Sequence, residues 1–260
     1  MIRTTIAALA VVAMTAQSPV PASPPADPTC SEMATALQAL LRNDARLRDW
    51  ALLSRYREAN RSLAAPRAGE ARVVFMGDSI TDAWPQPRFA ETFFPGKPYV
   101  GRGISGQTTP QMLLRFRPDV IDLKPKAVVI LAGTNDIAGN TGPIPDEDIQ
   151  RNLASMADLA KAHGIKVIFA SILPTSAYHT PERGVPQTTS RPMSRIRALN
   201  AWMQKFAADN GHIYLDYFTP MLDSTGVMKT ELTNDDLHPN AAGYAVMSPL
   251  AQAAIDKALR

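Results

Sequence analysis

Arg72-Val73-Val74-Phe75-Met76-Gly77-Asp78-Ser79-Ile80-Thr81 passes from four consecutive apolar residues straight into a glycine, an acid and a hydroxyl. The apolar run is short, β-branched and aromatic, and a glycine bounds it, so it predicts a strand buried on both faces. A serine on the tight strand-to-helix turn that follows is held at the rim of a sheet. Backbone N–H groups at a helix start there favour developing negative charge. The same residues also suit a plain helix cap, because Asp and Ser side chains accept from the first helical amides. The rest of the chain bears on which role is meant.

Working outward, residues 126–131, 165–170 and 212–216 repeat the apolar run, and 98–100 is a weaker version of it. Helical periodicity fills the intervals. Residues 110–117 space Met112, Leu113 and Phe116 on one face. Residues 146–163 do the same with Ile149, Leu153, Met156 and Leu159, starting in acids and stopping at Gly164. Residues 192–210 and 240–259 complete the set. Apolar strands alternating with amphipathic helices predict an α/β fold, a parallel sheet covered on both faces. Ligands of such sheets bind beyond the carboxyl ends of the strands, so the chemistry is expected just after them. Ahead of the first strand, residues 31–65 carry Leu37, Leu40, Leu41, Leu47, Trp50, Leu53 and Tyr56 near helical spacing, and Pro66 and Gly69 follow. They predict an N-terminal helical extension.

The chain has 260 residues, 45% hydrophobic and 20% charged, a balance that suits one globular domain, placed at 70–260. Its net charge is only +3. Arg42, Arg46, Arg48, Arg55, Arg57 and Arg61 crowd one region, but Asp44, Asp49 and Glu58 interleave with them. That is a solvated helix face and not a nucleic-acid stripe. Residues 1–22 have the layout of an export signal: Arg3, an apolar run from Ile6 to Met14, then small residues, with cleavage after Ala16 or Ala22. The run is shorter than the ~20 residues of a spanning helix, so export to the periplasm or outside is expected, without stable membrane insertion. Residues 23–30 read as a linker, within a stretch that holds five prolines between 17 and 28. Cys30 is the single cysteine and cannot form an internal disulfide. With four histidines and no His-x-x-x-His, no metal is expected. No phosphate-cradling or dinucleotide glycine pattern occurs, so no cofactor is expected either.

Three further segments sit after strands. Asn234-Asp235-Asp236-Leu237-His238-Pro239 places one carboxylate three residues before a histidine, able to face it across a turn of chain and orient the imidazole. Asp236, nearer in sequence, is less well placed. The alternative is a polar helix entry capped by Asn240. Gly103-Ile104-Ser105-Gly106-Gln107-Thr108-Thr109 and Gly133-Thr134-Asn135-Asp136 offer a closely approaching backbone N–H and a side-chain amide, both able to donate to an oxyanion. Ordinary turn chemistry accounts for them equally well taken singly. The long segment 172–190 is placed to wall an acyl or leaving-group pocket.

Taken together and in this order, the blocks Gly77-Asp78-Ser79, Gly103 to Gly106, Gly133-Thr134-Asn135-Asp136 and Asp235-x-x-His238 make residues 70–259 resemble the SGNH (GDSL-like) hydrolases. The resemblance implies a flavodoxin-like three-layer α/β/α fold with a five-stranded parallel sheet. It implies Ser79 as nucleophile and Asp235 and His238 as the rest of a triad. The Ser79 N–H, Gly106 and Asn135 would form the oxyanion hole. Gln107 departs from the pattern, since many relatives carry Asp there. The implied activity is hydrolysis of carboxylic esters of small molecules or carbohydrates through an acyl-serine. Short acyl groups are expected, because residues 139–145 and 222–233 supply no apolar lid. Acyl transfer with the same triad, lysophospholipid or thioester cleavage, and a non-catalytic carbohydrate-binding protein are the alternatives.

Overall fold

The structure, a computed structural model, describes residues 29–179 and 184–260, with the side chains of 42–46 left out. The expected signal at 1–22 and most of the linker lie outside the described residues. The chain divides into two compact units, 1–44 and 45–260. The described part of the first begins helix α1 (Cys30–Arg48). Thr29 and Glu32 cap its start reciprocally, Thr29 N donating to Glu32 Oε2 at 2.7 Å and Glu32 N to Thr29 Oγ1 at 3.2 Å.

The second unit is built on five parallel strands: β1 (Val73–Gly77), β2 (Tyr99–Gly103), β3 (Ala127–Leu131), β4 (Lys166–Ala170) and β5 (Ile213–Leu215), in the order β2-β1-β3-β4-β5. Alternate residues point to opposite faces. Val74, Met76, Val128, Ile130, Val167 and Phe169 pack under the helices Thr109–Asp119, Asp146–Ala162 and Met193–Asn210. Val73, Phe75, Val129 and Ile168 pack under the short helix Ser79–Ala83 and the last helix, Ala241–Ala258. This is the expected three-layer α/β/α arrangement. The strand order reverses between β1 and β3, where such sheets open a crevice. Gly77, Gly103 and Leu131 stand in register there, so three strand ends finish level.

The segment expected as a continuous helix over 31–65 is broken. Between α1 and a second helix, α2 (Arg57–Ser62), the chain turns through residues 49–56. The Asp49 carboxylate accepts from Leu53 N at 2.7 Å and Ser54 N at 2.9 Å, and Leu52 is left-handed at φ +53°. Carbonyls that a helix would use internally are taken from outside. Gln111 Nε2 donates to Trp50 O and Gln107 Nε2 to Ala51 O, both at 2.7 Å, while the Tyr56 hydroxyl donates to Gly103 O. Helical spacing of apolar side chains is a weak preference, and these distant partners override it.

Gly103 is where sequence meets architecture. A Cβ there would fall 2.1 Å from Asp82 N and 2.7 Å from Asp78 O, against the turn that carries Ser79. Beneath it the Arg115 guanidinium, fully buried, donates to Gly77 O at 2.9 Å, Arg102 O at 2.8 Å and Asp119 Oδ2 at 3.1 Å. Gly103→Ala should therefore destabilise the protein by about 3 kcal/mol or more, since backbone cannot yield as a side chain can. Gly96→Ala, at φ +76° with open space around it, should cost only about 1 kcal/mol. Denaturant unfolding of the two variants checks this; equal losses would contradict it.

Candidate active site

Ser79 begins its helix directly after β1. Gly77 lets the turn close, since a Cβ there would lie 2.1 Å from Thr81 Oγ1. Asp78 caps the helix: its buried carboxylate accepts from Ile80 N at 3.0 Å. Burial pushes the Asp78 carboxyl up to about 6, with the Ile80 bond acting the other way. From the last helix, Tyr244 donates its hydroxyl to Ile80 O at 2.7 Å and clamps the turn. Ser79 Oγ then stands 2.9 Å from His238 Nε2, a residue 159 positions away.

The loop that presents His238 is closed by a bridge between Thr233 and Pro239. Within it one carboxylate does two jobs. Asp235 Oδ1 accepts from Leu237 N at 3.1 Å and His238 N at 2.7 Å, and Oδ2 lies 2.7 Å from His238 Nδ1. Partial burial opposes ionisation, but these bonds and the imidazole hold the Asp235 carboxyl far below the usual carboxylate range. With Nδ1–H donating to Asp235, Nε2 is left to accept from Ser79 Oγ. Asp236 turns the other way, at φ +67° and buried. It accepts from Ser176 Oγ at 2.6 Å, Tyr178 N at 3.0 Å and His179 N at 2.8 Å, and so staples the segment after β4 to the His238 loop.

The two expected donors arrive on separate loops. Gly106 is left-handed at φ +79°, next to Ser105, whose hydroxyl donates to Asp82 Oδ2 at 2.8 Å. Asn140 Nδ2 donates to Gly106 O at 3.0 Å from the far side. Asn135 follows Gly133 (φ +115°), where a Cβ would lie 2.8 Å from Ile172 Cδ1. The Asn135 amide is fixed at both ends: Nδ2 donates to Gln107 O at 3.1 Å, and Oδ1 accepts from Arg191 Nη2 at 3.3 Å. Gln107 links the loop to residue 51 with a bond from Nε2 to Ala51 O that no carboxylate could make, while its side-chain Oε1 accepts from Arg115 Nε. Ser79 thus contacts His238 and His238 contacts Asp235, while Asn135 bonds the loop of Gly106 through the Gln107 carbonyl.

The sequence profile of the GDSL-like lipase/acylhydrolase family matches residues 75–246. The chain belongs to this family, the SGNH hydrolases. A GDSL-like lipase of Bacteroides thetaiotaomicron has the same fold, with a TM-score of 0.72 and 42% identity over 80% of this chain and 98% of that one. The esterase TesA of Pseudomonas aeruginosa is 35% identical over 121 residues, 42% of this chain but only 58% of its own length. The human platelet-activating factor acetylhydrolase IB subunit alpha2 is 25% identical over 195 residues, 74% of this chain and 79% of that one. The chain is accordingly a carboxylic ester hydrolase.

In this SGNH hydrolase a groove of about 320 Å³ opens at Ser79 and His238, lined by Gln86, Phe89, Ser105 and Asn234 among others. A larger cavity of about 500 Å³, among Lys161, Lys166, His212 and Lys257, lies at the opposite, amino-terminal edge of the sheet and touches none of these groups. Among the described residues no group of three or more His, Cys, Asp and Glu could hold a metal ion. Two features escaped the sequence reading. Arg191, buried beside Asn135, directly follows the segment 172–190 that is expected to wall a pocket. Asp136, buried under Thr109 N and Oγ1, ties the Asn135 turn to the start of the helix at Thr109. Neither has a local signature; the one hint was an acid adjoining Asn135.

The raised Asp78 carboxyl makes a stability prediction with a definite sign. Its folded-state value is about 6 against an ordinary 3.8, so the folded protein holds the extra proton between those values. Stability from this group therefore falls as pH rises from about 4 to 6. Asp78→Asn keeps the capping oxygen and removes that loss. It should stabilise the protein by up to about 3 kcal/mol at pH 7 relative to its effect at pH 4. Denaturation midpoints that differ from wild type by the same amount at both pH values would contradict the assignment.

Proposed function

We propose that this SGNH hydrolase cleaves short-chain carboxylic esters through an acyl-enzyme on Ser79. The observation that carries the reading is the relay Ser79 Oγ to His238 Nε2 at 2.9 Å and His238 Nδ1 to Asp235 Oδ2 at 2.7 Å. A serine hydroxyl becomes nucleophilic when a base is within hydrogen-bond reach. As Ser79 Oγ attacks the ester carbonyl, His238 Nε2 takes its proton, and the ionised Asp235 stabilises the imidazolium. The carbonyl oxygen, now negative, is met by the Ser79 N–H, the Gly106 N–H and Asn135 Nδ2. His238 returns the proton to the departing alcohol. Water then attacks the acyl-serine with His238 again as base, which releases the acid and restores Ser79.

Arg191 supports the Asn135 role, because its hold on Oδ1 turns Nδ2 toward the loop that carries Gly106. The polar lining of the groove favours a hydroxylated or small leaving group, such as a carbohydrate, and short acyl chains. A buried methylene gains about 0.8 kcal/mol only against an apolar wall. The human relative's name, acetylhydrolase, points the same way. We further propose export by residues 1–22. Among the described residues no helix is long and apolar enough to cross a membrane.

Ser79→Ala should abolish turnover of nitrophenyl acetate with the fold unchanged by circular dichroism; wild-type turnover in that variant would end the proposal. Asp235→Asn should lower kcat by about 10⁴-fold, the effect of amidating a triad aspartate. Asp236→Asn should lower it far less, since Asp236 bonds Ser176 and His179 rather than His238. The reverse ranking in steady-state kinetics would reassign the acid. Across nitrophenyl esters from acetate to palmitate, kcat/KM should fall beyond about four carbons; a steady rise to long chains would reject the short-acyl reading.

A further inference from the structure

A second groove, about 460 Å³, lies on the far side of the Gly106 loop from the first. Its walls are Trp50, Leu52, Ser105, Gly106, Asn140 and Thr141. Ser105 lines both grooves, so the two are separated only by the loop expected to donate to the oxyanion. Each volume falls in the range of about 300–1,000 Å³ usual for ligand sites. The first is lined by polar groups, Arg88, Asp235 and His238 among them, with Phe89 and Tyr244 as aromatic surface; the second mixes Asp49, Gln107, Gln111 and Thr141 with the apolar Trp50 and Leu52.

Trp50 is the unusual member. It is 41% exposed, although a tryptophan gains most from burial. Its exposure is not that of a loose loop. The Asp49 carboxylate caps the turn that follows, and the Trp50 and Ala51 carbonyls are gripped by Gln111 and Gln107. Tyr56, a few residues on, is bonded to Gly103 O, and Arg55 reaches Asp82 at 3.8 Å. Gln107 and Asp82 are the same residues that hold the Asn135 amide and the Ser105 hydroxyl. The backbone that carries the Trp50 indole is therefore held to the loop beside Ser79, with the side chain partly open to solvent. A flat, part-apolar and part-polar surface among amides and hydroxyls suits a sugar ring, whose C–H face stacks while its hydroxyls bond to the rim.

We propose that the two grooves form one trough crossing Ser79, and that its substrate is an O-acylated oligosaccharide, with the sugar beyond the esterified unit stacked on Trp50. The proposal rests on Ser79 being the nucleophile. The esterified sugar lies in the groove of Gln86 and Phe89 with its acyl carbonyl at Ser79, and the chain continues over Ser105 to Trp50.

The test compares Trp50→Ala with wild type on three probes: nitrophenyl acetate, an acetylated monosaccharide and an acetylated oligosaccharide of several units. For the oligosaccharide, kcat/KM should fall by about fivefold to tenfold, the worth of one stacked aromatic contact, mainly through KM. Nitrophenyl acetate and the monosaccharide should be turned over as by wild type, and Trp50→Tyr should recover most of the loss. Independently, titrating Ser79→Ala with the oligosaccharide should shift the tryptophan fluorescence, and the shift should vanish in Ser79→Ala/Trp50→Phe. Equal losses on all three probes, or no loss on the oligosaccharide, would overturn the trough. If Ser79→Ala kept its turnover of nitrophenyl acetate, the nucleophile assignment would fall instead, a result distinct from a silent Trp50→Ala.

Discussion

Gly103 presses its backbone against the Asp78–Asp82 turn more closely than any side chain would permit. That one contact sets the height of Ser79 over the sheet. It needs β1 and β2 in register, so that Gly77 and Gly103 end side by side. It also needs something to hold both strand ends from below, which the Arg115 guanidinium does through Gly77 O and Arg102 O. From above, Tyr56 bonds Gly103 O and so brings residues 49–56 down on the same corner. Ser105 and Gly106 follow within three residues, and their position is inherited from that corner. The placement of Ser79, the Gly106 loop and Trp50 is one packing problem and not three.

Charge is distributed to serve this corner. Arg115 sits in the core with its desolvation met by Asp119 and four carbonyl or carboxylate acceptors in all; burial still draws its pKa down, and Asp119 opposes that. Such a group adds little net stability but is expensive to leave half-satisfied, so it fixes geometry. Two carboxylates a short distance apart in the fold then behave oppositely. Asp78 is walled off from water and holds its proton more tightly than usual. Asp235 is open enough, and bonded enough, to remain ionised well into acid. The contrast follows from surroundings: Asp235 has amides and an imidazole to bond its negative charge, and Asp78 has the single Ile80 amide.

The layers of the fold were legible because they rest on periodicity. Ile149, Leu153 and Met156 face the sheet as their spacing said, and the runs at 73–76 and 127–131 are fully buried. β2 was the weakest of the strands to read, since Gly101, Arg102 and Gly103 are there for close approach and not for burial: Gly101 lies against Pro85, and Arg102 reaches Asn60 and the Tyr56 ring. Residues 49–56 misled, because Trp50, Leu53 and Tyr56 fall at helical intervals while the carbonyls of Trp50 and Ala51 are taken by Gln111 and Gln107, far along the chain. The site divides the same way. Asp235 and His238 are neighbours in sequence and were readable as a pair. Arg191 meets Asn135 across 56 positions and a loop of unremarkable composition, so no local pattern announced it.

Everything functional in this account depends on a covalent bond to one oxygen. Incubating the protein with a fluorophosphonate, then mapping the adduct by peptide mass spectrometry, tests that directly. A single adduct should form on the peptide containing Ser79, in step with loss of ester hydrolysis, and more slowly in His238→Ala. An adduct on another serine, or complete inactivation with the Ser79 peptide unmodified, would contradict it.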